Sequence, residues 1–130
     1  DPHALQVAVA AARAVEFVGM PEGRIPLAQA VTYISCAPKS NASYMGLDKA
    51  MADVRNKKIK SVPNHLKDCH YSGAEELGHG IGYKYAHNYD GNYVKQQYLP
   101  DELVGTMYYE PTENGVEKRI KESLERRRNL

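Results

Sequence analysis

Apolar positions recur at helical spacing through the first half of the chain and again at its end, separated by an irregular aromatic stretch. The first element opens at Asp1-Pro2, an N-cap followed by the residue best suited to the first helical position. It runs ALQVAVAAARAVEFV and stops at Gly19, a C-cap glycine. Leu5, Ala8, Ala12 and Val15 form one stripe, and Val7, Ala11 and Val18 another. A helix apolar on nearly every side is expected to be central. A buried helix at residue 1 is expected of a piece cut from something longer. A second helix, PLAQAVTYISCA, starts at Pro26 and ends at Pro38, with Leu27, Ala30 or Val31, and Ile34 as its stripe. Ser40-Asn41 caps a third that reaches about Lys57, with Tyr44, Leu47, Met51 and Val54 at 3-4-3 spacing. The last begins near Glu113 or Asn114 and runs VEKRIKESLERRR. Its narrow stripe is Val116, Ile120 and Leu124, and Glu117–Lys121 and Glu122–Arg126 are spaced for supporting pairs.

The stretch from Asp68 to Pro111 fits neither helix nor strand and holds eight of the ten tyrosines. It is too aromatic for a solvated linker. Tyrosine buries a ring while keeping a hydroxyl for water or a carbonyl. The expectation is an ordered arm strapped along a scaffold by its rings, with glycines supplying positive φ or close backbone approach. The predicted fold is therefore all-α: a helical bundle with a long irregular Tyr/Gly-rich arm and a charged C-terminal helix. It reads as one domain over 1–130, with a helical core over about 1–67, the arm over about 68–112 and the last helix over about 113–128.

Composition narrows the chemistry. Seventeen basic against sixteen acidic residues give a net charge of +1, so any polyanion contact must be local. Two clusters qualify for low-affinity DNA contact. One is Arg55, Lys57, Lys58 and Lys60 at the end of the third helix, and the other is Arg126, Arg127 and Arg128 at the end of the last. Together with the tyrosines they would suit a single-stranded segment. The competing reading is a solvated helix face and a dipole-matched terminus. No Gly-Lys pair occurs, so no phosphate loop is present, and GxSxG, HExxH and CxxC are absent as well. GHGIGY follows no strand and opens no helix, which removes it as a dinucleotide fingerprint. His65, Cys69, His70, His79 and His87 offer metal-ligand chemistry at poor spacing, so they read as hydrogen-bonding groups within the arm. Cys36 and Cys69, without a secretory signal, read as free thiols of a reduced cytosolic protein. No segment reaches the run of about twenty apolar residues that spans a bilayer. With one Phe, no Trp and many alanines, part of the stability is expected to come from association.

PEGRIPLAQAV, APKSN, GHGIGYKYAHNYDGNYVKQQYLPDEL and YYEPTENGVEKRIKESLERRR together resemble one family over essentially the whole chain. It is the C-terminal domain of the replication-associated recombination protein A family, AAA+ ATPases also called MgsA, similar to Werner helicase-interacting protein. Ser72, Ala86 and Asp90 stand where the pattern has Pro, and Tyr93 where it has Trp. The resemblance implies a post-AAA+ oligomerisation domain of the clamp-loader collar type that assembles as a tetramer. It implies a parent that is a DNA-dependent ATPase in replication-fork maintenance and recombination, with DNA and single-strand-binding protein as partners. ATP and Mg would belong to the parent's upstream module, leaving this chain without cofactor or catalytic residue. A cytoplasmic, nucleoid-associated bacterial protein is implied too. An accessory single-strand or fork DNA-binding module is the alternative role.

Overall fold

The computed structural model describes residues 1–129, and every regular element among them is helical. The elements are α1 (His3–Val18), α2 (Arg24–Cys36), α3 (Ala42–Asn56) and α4 (Glu117–Arg128). Short 3₁₀ turns at Asn64–Leu66, Ala86–Asn88, Asp90–Asn92 and Asp101–Leu103 punctuate the irregular stretch between α3 and α4. The all-α expectation holds, and helix ends fall within a few residues of their sequence signals. The chain divides into two compact units: Asp1–Met45 with Tyr109–Asn129, and Gly46–Tyr108.

In the first unit, Asp1 starts α1 by accepting the His3 N–H on its carboxylate at 2.8 Å. The short link from Gly19 to Gly23 folds α2 back onto α1 as a helical hairpin. The contact is made by small side chains. Val7, Ala11 and Ala14 of α1 lie across a gap of about 230 Å³ from Pro26 and Ala30 of α2. Ala11 and Ala30 are buried. At the end of α2 the Lys39 ammonium donates to the carbonyls of Ile34 at 2.6 Å and Ala37 at 2.5 Å. It thereby satisfies the orphan acceptors of the last turn. The Ser40 hydroxyl then accepts the Ala42 N–H at 3.1 Å and starts α3.

The large residues behave differently from the sequence expectation. Helix α1 is not central: Leu5, Val9 and Val18 are exposed and Phe17 is 92% exposed. Leu27, Val31 and Ile34 of α2 are exposed, as are Tyr44, Leu47, Met51 and Val54 of α3. In α3 it is Ala42 and Gly46 that are buried, with Ala50 and Asp53 half-buried behind them. Periodicity correctly grouped residues into faces, but within the single chain the small face packs and the large face is bare.

The second unit carries the arm. Its buried anchors are Ala74, Val94 and Leu103, not the rings. Tyr83 and Tyr98 are 52% and 54% exposed, and Tyr71, Tyr85 and Tyr89 are exposed too. The expected ring-pinned strap is therefore held by a few aliphatic groups and by polar ties. The Gln96 amide bonds both the N–H and the carbonyl of Lys84, at 3.2 and 3.0 Å. Gly80 has φ +74°, and a Cβ there would lie 2.6 Å from the Cys69 Cβ, so this turn admits only glycine.

Candidate functional site

Two of the signature stretches, APKSN and YYEPTENG, meet in the first unit. The Asn114 amide donates to the Lys39 carbonyl at 3.0 Å. Gly115, at φ +52°, presses its backbone against Pro38, where an added Cβ would stand 2.8 Å from two ring carbons. At the centre is Glu117. Its carboxylate accepts the Thr112 hydroxyl at 2.7 Å, the Thr112 N–H at 2.9 Å and the Tyr109 hydroxyl at 3.0 Å, with the Ser40 hydroxyl as a further donor. Thr112 above all, outweighing partial desolvation, holds the Glu117 carboxyl down at about 2. Beside it a pocket of about 280 Å³ is lined by Pro38, Ser40, Ser43, Tyr109, Asn114 and Ile120, among others.

This hub corrects one sequence expectation. Glu117 does not pair with Lys121, because hydroxyl and amide donors at the head of α4 already occupy it. Lys121 instead bonds Glu113, and no Glu122–Arg126 pair forms among the described residues. The hub was not singled out from sequence. Its only signal is a Thr and a Glu flanking a Gly turn, with the Ser40 donor far away in the chain.

The bare apolar faces of α1, α2 and α3 are a second candidate surface, with Phe17 92%, Val31 64% and Leu47 60% exposed. From Ile25 to Cys36 α2 carries no charged residue, and neither does α1 from Ala4 to Ala12. Apolar surface of this extent, contiguous along helices, marks a contact site.

The residues expected to touch DNA are exposed and belong to different units. Arg55, Lys57, Lys58 and Lys60 lie in the second unit and Arg126, Arg127 and Arg128 in the first. In the first cluster Lys57 pairs with Asp53 at 2.9 Å, and Lys60 with Glu102 at 3.5 Å. Asp53 also accepts the Tyr108 hydroxyl at 2.9 Å; the bond from Lys57 and then that from Tyr108 hold its carboxyl below the usual range. Arg126, Arg127 and Arg128 have no ion pair among the described residues, so they keep their charge available.

The histidines of the second unit make local bonds. His65 donates to the Gln97 carbonyl at 2.8 Å, His70 contacts the Asp68 carboxylate at 2.7 Å, and His79 meets the Tyr71 hydroxyl at 2.6 Å. His87 packs against the Tyr85 ring, centroids 5.1 Å apart. Cys36 and Cys69 are both exposed thiols. No helix among the described residues is long and apolar enough to cross a membrane.

Comparison with known proteins points to one family. A family model described as MgsA AAA+ ATPase C terminal matches residues 1–128. The replication-associated recombination protein A of Bacillus subtilis is 52% identical over 115 residues, covering 88% of the chain and 27% of that relative. Its namesake in Escherichia coli K12 is 42% identical over 125 residues, covering 95% of the chain and 28% of the relative. The ATPase WRNIP1 of Dictyostelium discoideum is 32% identical over 111 residues, covering 85% of the chain and 13% of its own length. The chain thus spans less than a third of these relatives.

Proposed function

The chain belongs to the MgsA AAA+ ATPase C-terminal family, and from that premise we propose that it is the self-association domain of a DNA-dependent ATPase in replication-associated recombination. One observation carries the reading: the residues buried in α1, α2 and α3 are all small, and most of their large ones are exposed. That inversion is costly for an isolated chain, since each large side chain left in water forgoes about 1.5–3 kcal/mol of burial. It is resolved when copies cover one another's faces. A contact of standard size removes about 800 Å² from each partner. A tetramer gives each copy two such contacts.

In this reading the hub at Glu117 is a rigid buckle. It ties the α2–α3 corner to α4 and so fixes the direction in which the bare faces point. ATP and Mg²⁺ belong to the remainder of the full-length protein, because this chain has no Gly-Lys pair and no phosphate loop. DNA and single-strand-binding protein are partners of that whole, in the bacterial cytoplasm at the nucleoid. A collar-like arrangement of these domains would hold the ATPase modules together. Linkage supplies the test. The thermal midpoint should rise with protein concentration, and a midpoint independent of concentration over three decades would count against assembly.

The three arginines ending α4, without an ion pair among the described residues, support a second reading, an accessory contact to DNA phosphates. The two readings differ in salt response. Phosphate contacts weaken steeply with salt, whereas apolar association does not.

A further inference from the structure

Resting on the assembly reading above, we propose that α2 lies across a molecular two-fold axis, packed against α2 of a second copy, with Val31 nearest the axis. In a two-fold contact every residue on the axis meets its own copy. A charge there repels itself, so the centre of such a contact must be neutral over the length of the crossing. Ile25–Cys36 meets this condition, with twelve consecutive uncharged residues, about 18 Å of helix. No other helix carries so long an uncharged run. Arg13 and Glu16 stand on α1, and Asp48, Lys49 and Arg55 interrupt α3. Helix α4 is charged on most of its surface.

The α2 stripe is also built for burial. Leu27, Val31 and Ile34 follow at i, i+4 and i+7, and Val31, in the middle, is 64% exposed. Thr32, beside it, already donates its hydroxyl to the Ala28 carbonyl at 3.0 Å, so covering it strands no donor. Tyr33 points its hydroxyl to the Asp1 carboxylate at 3.0 Å. The neighbouring side of α2 is committed to α1 through Pro26 and Ala30. A face that is neutral, apolar and internally satisfied suits a like face better than a charged partner, whose own polar groups it could not answer.

Charge complementation tests the axis directly. V31E and V31K should each remain helical by circular dichroism, yet shift in light scattering towards smaller species than the wild type. Mixed in equal amounts, they should regain the wild-type mass, because each acid then faces a base across the axis. As a second probe, V31C in a Cys36→Ser, Cys69→Ser background should oxidise to a covalent dimer while L47C in the same background does not. Variants that both assemble like the wild type, or that fail alone and are not rescued by mixing, would overturn the axis. So would the absence of a V31C dimer in protein that still assembles. If the wild-type chain itself stays monomeric, the assembly reading falls with it. If the wild type assembles and the variants give one of the overturning results, the axis alone is wrong.

Discussion

Single residues in the Glu117 hub make the most local claims. Folding lowers this carboxyl from 4.5 to about 2. A depressed carboxylate contributes stability that is present above its unfolded value and lost as pH falls through the folded one. The contribution should therefore be complete above about pH 5 and disappear between about pH 4.5 and 2. Glu117→Gln should cost about 1–2 kcal/mol at pH 7, since hydrogen bonds to a charged acceptor are the strong ones. It should also flatten acid unfolding in that window; acid titration of both proteins by circular dichroism checks this. An unchanged acid limb would show that Glu117 does not act as the buckle. Gly115→Ala should cost about 1–3 kcal/mol in denaturant unfolding, through positive φ and the collision with Pro38. Neither residue was legible as important in the sequence. The hub joins Ser40 to Thr112 and Glu117, and no local pattern reports a contact over that separation.

At the scale of elements, helix boundaries were legible and the inward direction was not. Pro, Gly, Ser and Asn mark ends by local backbone chemistry that operates before any tertiary contact forms. The 3-4-3 spacing of Tyr44, Leu47, Met51 and Val54 says only that these residues share a face. Which face packs within one chain depends on what else is present, and here the alanines and glycine won. The arm shows the same limit. Its irregularity was legible from Gly, Asn and Pro, but its anchors, Ala74, Val94 and Leu103, are sparse among eight more conspicuous rings. Truncations should separate the two classes. Leu103→Ala should cost about 2–5 kcal/mol, as for a buried aliphatic side chain. Tyr83→Ala should stay within about 0.5 kcal/mol, as for an exposed position. Urea midpoints measured at one protein concentration decide between them, and equal losses would restore the ring-pinned strap. On α3, L47D should leave the secondary structure intact at 60% exposure yet weaken association.

For the whole molecule, near-neutral charge limits what DNA can do. With net charge +1 and two of the seven candidate basic side chains already paired, binding by this chain should be weak, indifferent to sequence and lost at moderate salt. Replacing Arg126, Arg127 and Arg128 together should remove it in a fluorescence anisotropy titration at low salt. Tight binding that survives high salt would make the accessory-DNA role primary. Self-association is the larger claim, because the bare apolar faces have no other account within the chain. Light scattering coupled to size exclusion, run over a wide range of loading concentrations, tests it most directly. The predicted result is a mass four times that of the 14.5 kDa chain at micromolar concentration, falling only on strong dilution. A constant 14.5 kDa across the whole range would contradict it.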